Sequence, residues 1–257
     1  MSQYMAKPAD GVAWVTGASS GIGLAVAQEL VRRKFKVFIT GRRADVLEGI
    51  AAASNGQIIA LAGDITNRDA MAALVAEIER NYGPIALAFL NAGVFTPDSG
   101  GSIGGDGFRD TFNVNVIGTI NCLEPLVPLM RTRGRGQIAV NASVAGYGGL
   151  PRAIAYGSTK AALINMCESM KFDLDRQGVS VQLVNPGFVK TPLTGKNDFP
   201  MPFLLEMDDA ARRICDGFEK PAFEITFPKR LSWSLKLLNL LPYPLYFWLV
   251  KRGTGGA

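Results

Sequence analysis

Short apolar runs alternate with longer amphipathic stretches along most of the 257-residue chain. The apolar runs have the length and near-continuous hydrophobicity of strands buried in a parallel sheet, and they lie at residues 12–16, 36–40, 57–61, 85–90, 137–141, 180–185 and 223–227. Helical periodicity begins at Ile22 and returns at 44–53, 68–81, 107–130 and 153–176. The alternation predicts an α/β fold, a doubly wound parallel sheet of about seven strands with helices on both faces. Ligands are then expected beyond the carboxyl ends of the strands.

A glycine-rich segment, Gly17-Ala-Ser-Ser-Gly21-Ile-Gly23, joins the first strand to the first helix. Glycines let a backbone approach a pyrophosphate closely, and a helix N-terminus offers unpaired N–H groups to an anion. The order strand, glycine turn and helix therefore predicts the first half of a dinucleotide-binding unit. A loop that merely turns the chain is the alternative.

Tyr156 and Lys160 are four residues apart in a stretch with helical character. Residues at this spacing share one face of a helix. A neighbouring cation favours the phenolate and lowers the pKa of a tyrosine, which then suits proton transfer to a carbonyl oxygen or from an alcohol. Taken alone, the pair equally fits a solvated lysine beside a half-buried tyrosine.

Four motifs occur in a fixed order: Thr16-Gly-Ala-Ser-Ser-Gly-Ile-Gly23, Asn91-Ala-Gly93, Tyr156-x-x-x-Lys160 and Pro186-Gly187. In this order and at these separations the chain resembles the short-chain dehydrogenase/reductases, which have a Rossmann fold, over residues 11–191 and less distinctly to 227. The resemblance implies a nicotinamide cofactor. It assigns cofactor contacts to Gly17, Ser19, Ser20, Gly21, Ile22, Gly23, Asp64, Ile65, Asn91, Ala92, Gly93, Tyr156, Lys160, Pro186, Gly187, Val189 and Thr191.

The resemblance also implies a catalytic set of Asn115, Ser143, Tyr156 and Lys160. Ser143 would hydrogen-bond the substrate oxygen, Tyr156 would pass its proton to that oxygen, and Lys160 would lower the pKa of Tyr156 and hold the nicotinamide ribose. Asn115 would kink its helix and anchor a proton-relay water, with Asn113 as the rival for that role. Because all four positions carry the expected residue types, the prediction is an active enzyme.

The second strand ends in Thr40-Gly41-Arg42-Arg43, without the carboxylate that would bind the ribose 2′-hydroxyl of NAD. Arginine matches a phosphate both in charge and in its paired N–H donors. The sequence therefore predicts that NADP(H) is preferred over NAD(H), with Arg42 a stronger phosphate ligand than Arg43. A solvated basic start to the next helix is the alternative.

Length and composition limit the domain organisation, the kinds of catalytic and metal site, and the cellular location. The chain suits one domain over residues 1–257, with a cofactor and catalytic core at 11–191, a short lid and last strand at 192–228, and an apolar C-terminal extension at 229–257. The absence of histidine excludes His-based triads and His metal sites, and no metal is expected. Three cysteines without metal-ligand spacing or a signal-peptide pattern predict reduced thiols and a cytoplasmic location.

Two C-terminal segments carry predictions about the substrate side. The first is an apolar lid over the substrate, for which ordinary loop packing is an equal alternative; its residues are Phe199, Met201, Phe203, Leu204 and Leu205. The second is the extension, whose aromatic residues lie between Lys229-Arg230 and Lys251-Arg252. It fits packing on the domain or on a partner subunit, contact with a membrane surface, or less well a spanning helix, because Pro242 and Pro244 interrupt it.

The leading hypothesis is an NADP(H)-dependent oxidoreductase that reduces the carbonyl group of a small hydrophobic substrate, lipid-derived compounds included, or oxidises the corresponding alcohol. The alternative is an NADP(H)-binding scaffold whose C-terminal surface recruits a partner or a membrane. The resemblance implies a homodimer or homotetramer. No nucleic-acid motif is present, and the net charge of +5 suits an anionic cofactor or anionic lipid equally.

Overall fold

The computed structural model describes residues 3–97, 103–196 and 201–254. The apolar runs form seven strands: β1 Val12–Thr16, β2 Val37–Gly41, β3 Ile58–Ala62, β4 Ile85–Leu90, β5 Gly136–Asn141, β6 Val179–Pro186 and β7 Glu224–Phe227. Each predicted strand is confirmed to within one residue at either end. Every residue of β1, β4 and β6 is buried, which explains why these strands read as continuous apolar runs instead of alternating ones.

The strands form one parallel sheet in the order β3-β2-β1-β4-β5-β6-β7, so the predicted doubly wound sheet is confirmed. Trp14 in the centre of β1 pairs with Phe38 of β2 on one side and with Ala88 of β4 on the other. The strand order reverses between β1 and β4. Such a reversal opens a crevice at the carboxyl ends of the strands, where ligands bind in folds of this type.

Nine helices are present in the described ranges: α1 Gly21–Arg32, α2 Ala44–Ala52, α3 Arg68–Asn81, α4 Asp106–Phe112, α5 Gly118–Thr132, α6 Ile154–Leu174, α7 Met207–Phe218, α8 Lys229–Leu238 and α9 Tyr243–Gly253. The predictions for α2, α3 and α6 are confirmed with small shifts at their ends. The prediction of one helix over 107–130 is wrong, because a π-helical segment, Asn113–Ile117, separates α4 from α5. The π-helical segment depends on tertiary contacts, because Asn115 at its centre is buried and hydrogen-bonded to Val94 and Thr159.

Two hydrophobic clusters cover the two faces of the sheet. Trp14 and Phe38 point into the first cluster with residues of α3, α5 and α6, of which Leu126 is fully buried. Val15 and its neighbours point into the second cluster with α1, α2 and α7, including Ile214. Alternate residues of the same strands thus feed opposite clusters, as a sheet covered on both faces requires.

The helices α8 and α9 follow β7 at the edge of the sheet and belong to neither cluster. Their buried residues are Ser232, Tyr246 and Val250. Within the described part of the chain, no helix has the length and apolarity needed to cross a membrane, so the spanning helix considered for this segment is excluded there.

Candidate active site

The carboxyl ends of the strands surround a cavity of about 410 Å³, the size of a small-molecule site. Most of the predicted site residues line it: Gly17, Ser19, Ser20, Gly21, Ile22, Arg42, Arg43, Asp64, Ile65, Asn91, Ala92, Gly93, Tyr156, Lys160 and Thr191. Asn115, Ser143, Gly23, Pro186, Gly187 and Val189 are not in the wall. The sequence analysis did not single out several lining residues, which are Gly41, Gly63, Val94, Val114, Asn141, Pro192 and Leu193.

Residues 16–23 and 91–93 lie beside the cavity at the start of α1, and most of them line it; we call them the glycine cradle. Gly17 has a φ of 66°, and a Cβ there would lie 2.6 Å from the Cα of Ala92. A Cβ on Gly21, whose φ is 62°, would meet only Thr191, at 3.7 Å. Gly17 therefore allows two backbones to touch, whereas Gly21 leaves the start of α1 open to the cavity. An open helix N-terminus beside bare backbone fits the pyrophosphate of a dinucleotide.

Hydrogen bonds between polar residues hold the ends of three strands together. The backbone N–H of Asn91 donates to Thr16 Oγ1 at 3.0 Å, and its side-chain Nδ2 donates to the Thr16 carbonyl at 3.1 Å. Asn141 Nδ2 donates to Asn91 Oδ1 at 2.9 Å. Asn141 was missed, although a signal was available: it ends β5 directly beside the residue that follows β4, and parallel strands bring such residues together.

Lys160 lies on α6 and is almost completely buried, with an exposed fraction of 3%. Its Nζ donates to the main-chain carbonyl of Asn141 at 2.7 Å and lies 5.5 Å from the centre of the Tyr156 ring. Burial lowers the pKa of Lys160 to about 8, because the charged form loses its water. The wall of the cavity thus holds an amine that titrates near neutral pH.

Tyr156 lies one turn earlier on α6, half-buried, with the edge of the Phe95 ring against it. Burial raises the pKa of Tyr156 to about 12, and a hydrogen bond with Ser143 opposes that rise. The lowering of this pKa by Lys160 stays a prediction, and the net effect in this structure is a raised pKa. The reason is that the loss of water around the phenol outweighs the other effects, while the ammonium is engaged by the Asn141 carbonyl.

Ser143 follows β5 and begins a short 3₁₀ turn over Val144–Gly146. Its Oγ accepts a hydrogen bond from the N–H of Ala145 at 3.1 Å, which fixes the side chain. The same side chain acts to lower the pKa of Tyr156, which places the two hydroxyl groups near each other. The structure therefore brings Ser143, Tyr156 and Lys160 to one end of the cavity.

Asn115 is fully buried in the π-helical segment, whereas Asn113 is exposed. The Asn115 side chain accepts from the N–H of Val94 at 2.7 Å and donates to the carbonyl of Val94 at 3.0 Å and to Thr159 Oγ1 at 3.1 Å. It thereby joins the segment after β4 to α6. Thr159 was missed by the sequence analysis, because only the fold shows that it meets the asparagine.

Arg42 and Arg43 lie exposed at the opposite end of the cavity, where β2 ends. Arg43 Nη2 donates to Ser19 Oγ at 2.9 Å and to Ser20 Oγ at 3.2 Å, so its guanidinium is tied to the glycine cradle. Asp64, at the end of β3, accepts from the N–H and the hydroxyl of Thr66, both at 2.9 Å. This end of the cavity therefore carries two guanidiniums beside one carboxylate that is already hydrogen-bonded.

Several residues predicted to touch the cofactor support its surroundings instead. A Cβ on Gly187 would lie 2.9 Å from the side chain of Leu231, so this glycine admits the start of α8. Val189 is buried and pairs with Leu205 in an isolated bridge. Pro186 is the last residue of β6. Thr191 does line the cavity, and its N–H donates to Thr194 Oγ1 at 2.9 Å.

The predicted apolar lid does not cover the cavity within the described residues. Leu205 packs on the second hydrophobic cluster, Phe203 and Leu204 are exposed, and Met201 is absent from the wall. Phe199 lies outside the described residues. In residues 3–97, 103–196 and 201–254, no group of three His, Cys, Asp or Glu is placed to hold a metal ion.

Comparison with known proteins agrees with this geometry. The family described as short chain dehydrogenase matches residues 11–199. An uncharacterized oxidoreductase of Myxococcus xanthus is 35% identical over 96% of this chain and 99% of the relative. The 3-oxoacyl-(acyl-carrier-protein) reductase MabA of Mycobacterium avium is 29% identical over 70% of this chain and 68% of its own length.

A solved structure has the same fold. It is the short chain dehydrogenase/reductase of Burkholderia phymatum in complex with NAD, with a TM-score of 0.81 at 22% identity, covering 92% of this chain and 94% of that one. The family match spans most of the chain and includes the glycine cradle and the Tyr156–Lys160 pair. The chain therefore belongs to the short-chain dehydrogenase/reductase family, whose members use a nicotinamide cofactor to interconvert CH–OH and C=O groups.

Proposed function

We propose that this chain uses NADPH to reduce the carbonyl group of a small hydrophobic substrate, lipid-derived compounds included, or to oxidise the corresponding alcohol. The observation that carries the proposal is that Tyr156 and the buried Lys160, whose Nζ lies 5.5 Å from the centre of the Tyr156 ring, line the same cavity as Arg42 and Arg43. One end then suits proton transfer, and the other suits a phosphate.

The proposed chemistry follows from where the protons are held. Bound NADPH supplies the hydride, while the protein orients the substrate and supplies the proton. Tyr156 donates its phenolic proton to the carbonyl oxygen, and Ser143 Oγ hydrogen-bonds the same oxygen as negative charge develops on it. Lys160, positioned by the Asn141 carbonyl, supplies positive charge near the phenol, and Asn115 keeps this part of α6 in register with the strand ends. One hydride and one proton convert the carbonyl to an alcohol.

The proposed preference for NADP(H) rests on Arg42 and Arg43. Arg43 is tied to Ser19 and Ser20, so it would face a 2′-phosphate without moving far, and Arg42 lines the same end of the cavity. Hydrogen bonds to a charged group contribute roughly 1.5–3 kcal/mol. Removing either guanidinium should therefore weaken NADPH binding by about tenfold or more.

The test is a fluorescence titration of NADPH and NADH against the wild type, Arg42→Ala and Arg43→Ala. We expect the wild type to prefer NADPH and each variant to lose NADPH affinity while NADH affinity changes little. Arg212→Ala, at an exposed arginine of α7, is the matched control and should bind both nucleotides as the wild type does. A wild type that prefers NADH would refute the proposed preference.

We also propose that the protein is a homodimer or homotetramer formed through α5 and α6, and that it acts in the cytoplasm. Apolar side chains are exposed on these helices and in the segment before them: Ile117, Ile120, Leu129 and Phe172, the last with 74% of its surface exposed. All three cysteines are buried free thiols, which suits a reducing compartment. Sedimentation of the wild type and of Phe172→Glu tests the assembly, which the new charge should weaken.

A second candidate function is a cofactor-binding scaffold that recruits a partner or a membrane through α8 and α9. The exposed aromatic residues of that segment favour it. Tight NADPH binding without turnover across a panel of hydrophobic ketones and aldehydes would support the scaffold, whereas turnover that requires Tyr156 would support the enzyme.

A further inference from the structure

The C-terminal hairpin, which we define as residues 229–254 with α8, α9 and the turn between them, carries the whole net charge of the protein. The chain has 27 basic and 22 acidic residues, for a net charge of +5. Five of the basic residues and none of the acidic ones lie after Glu224, which leaves 22 of each in residues 1–224. The rest of the molecule is therefore electrically balanced, and the hairpin is a local cationic element.

The same hairpin exposes large apolar side chains. Trp233, Leu237 and Leu240 recur at the spacing of one helix face, and their exposed fractions are 68%, 65% and 81%. The first two turns of α9 also expose large apolar side chains, which are Tyr243, Leu245, Phe247 and Trp248. Contiguous exposed apolar residues on this scale mark an interaction surface on a folded protein.

The opposite face of the hairpin is attached to the domain. Tyr246 donates to the carbonyl of Gly149 at 2.7 Å, and a Cβ on Gly148 would lie 2.8 Å from the Tyr246 hydroxyl. Lys236 contacts Glu224, and its Nζ lies 5.0 Å from the centre of the Tyr147 ring. One face of the hairpin is thus anchored, and the aromatic face points away from the protein.

Four exposed cations flank these aromatic residues in the sequence. Lys229 and Arg230 begin α8, and Lys251 and Arg252 end α9. The Arg252 guanidinium lies 5.5 Å from the centre of the Trp248 ring, so charge and aromatic surface are adjacent. The surface therefore combines aromatic residues with a cationic border and carries no acidic side chain.

We propose that the C-terminal hairpin docks on an anionic membrane surface, with its aromatic face in the headgroup region. Tryptophan and tyrosine favour that region, and each basic residue near an anionic leaflet contributes roughly 1 kcal/mol of attraction. A second copy of the chain is a poorer occupant. Two identical hairpin faces would meet, and neither has acidic residues to pair with the cations of the other. The helices, of 10 and 11 residues, are suited to lying on a bilayer and too short to span one.

Docking would also orient the active site. The anchored face lies on residues 147–149, which follow the turn that begins at Ser143. A docked molecule would hold the substrate side of the cavity near the lipid, where hydrophobic carbonyl compounds concentrate. This orientation rests on the proposed function, whereas the docking itself does not.

The test is co-sedimentation of the purified full-length protein with vesicles of phosphatidylcholine alone and of phosphatidylcholine with one third phosphatidylserine. We expect binding to the anionic vesicles to be at least tenfold stronger, and to weaken as salt is raised from ~0.1 M to ~0.5 M. Replacing the four exposed cations together by glutamine should weaken anionic binding by on the order of a thousandfold. Trp233→Ser combined with Trp248→Ser should weaken binding to both kinds of vesicle.

The matched control lowers the net charge equally at exposed positions elsewhere, with glutamine at Arg80, Arg109, Arg176 and Lys220. It should bind anionic vesicles within about threefold of the wild type, because charges farther away than a Debye length are screened. The proposal would be overturned if the wild type does not bind vesicles. It would also be overturned if the two quadruple variants lose binding to the same extent. A hairpin variant that instead changes the sedimentation coefficient would assign the surface to a second copy, which also overturns it.

NADPH titration of every variant shows whether it is folded, and turnover of a water-soluble ketone is measured separately. Failure of docking is thereby distinguished from failure of the proposed reductase activity.

Discussion

The glycine cradle and the C-terminal hairpin are built in opposite ways. In the cradle, backbone touches backbone: a Cβ on Gly17 would lie 2.6 Å from the Cα of Ala92, and Asn91 is hydrogen-bonded to the end of β1. In the hairpin, a few anchored side chains hold two helices whose largest residues face outward, Trp233 with 68% of its surface exposed. The cradle has almost no freedom to change, whereas the largest side chains of the hairpin's outer face are more than half exposed.

The difference shows where each kind of substitution should act. A methyl group added to the cradle has to displace backbone, so it should cost stability and cofactor affinity together. A substitution on the outer face of the hairpin should leave both unchanged and alter only what that surface binds.

The largest expected effect is that of Tyr156→Phe, which removes the proposed acid and keeps the ring. General acid catalysis contributes about 10²- to 10⁴-fold, so turnover should fall by at least that range while NADPH affinity and thermal stability change little. The measurement is kcat with a hydrophobic ketone, followed by NADPH absorbance.

Tyr246→Phe is the matched control. It also removes one tyrosine hydroxyl, but this hydroxyl belongs to the hairpin and donates to the carbonyl of Gly149. It should keep kcat within about threefold, because a single neutral hydrogen bond contributes only about 1 kcal/mol. Turnover that survives in the Tyr156 variant would show that another group supplies the proton.

The second prediction concerns the buried charge of Lys160. Burial lowers the pKa of this lysine from 10.5 to about 8, so the unfolded chain binds more protons than the folded one between these two pH values. Stability should therefore rise with pH across that interval, as the unfavourable buried charge disappears. The loss at neutral pH is about 3 kcal/mol, since each pKa unit corresponds to about 1.4 kcal/mol.

Lys160→Met should accordingly be more stable than the wild type at pH 7, and this advantage should shrink by about 2 kcal/mol on going to pH ~9.5. Urea unfolding at both pH values measures it. Lys220→Met, at an exposed lysine, is the control. Its free energy of unfolding should differ from that of the wild type by the same amount at both pH values. An advantage of Lys160→Met that is independent of pH would mean that the ammonium is well solvated.

The third prediction sets two glycines against each other. Gly17→Ala should lower the free energy of unfolding by about 1–3 kcal/mol, because a side chain at a φ of 66° is strained and its Cβ meets the Ala92 backbone. Gly49→Ala, inside α2 with no atom within 4 Å of the added Cβ, should raise it by about 0.5–1 kcal/mol. Chemical denaturation checks both, and destabilisation of equal size at the two positions would contradict the steric argument.

The cradle and the Tyr156–Lys160 pair were largely predictable from the sequence because their geometry and chemistry admit few residue types. Gly17 and Gly21 have conformations that favour glycine, and Tyr156 and Lys160 have few chemical substitutes at that spacing. Other features depend on contacts between distant segments. The π-helical segment forms where Asn115 meets Val94 and Thr159, and Leu205 packs beside Val189 instead of covering the cavity. No local pattern encodes such meetings, so the helix at 107–130 was predicted wrongly, and the lid stays a prediction.

The smallest expected effect tests whether the two regions are truly separate. Tyr147 directly follows the short turn that begins at Ser143, and its hydroxyl donates to Glu224 at 2.6 Å. Glu224 is also contacted by Lys236 of the hairpin and by Asn185 at 2.8 Å. This carboxylate is a polar link between the segment that follows the proposed catalytic serine and the C-terminal hairpin.

Tyr147→Phe removes one of three partners of Glu224 and leaves the carboxylate paired, so stability should fall by about 1 kcal/mol. Tyr4→Phe, which removes a hydroxyl bound to Asp10 far from the site, is the control for losing a tyrosine–carboxylate hydrogen bond. If the hairpin only docks, both variants should keep kcat and differ little in KM. If kcat falls in Tyr147→Phe but not in Tyr4→Phe, and vesicles do not restore it, then Ser143 depends on Glu224 for its position. The hairpin would then belong to the active site as well as to the surface, because Lys236 holds the same carboxylate.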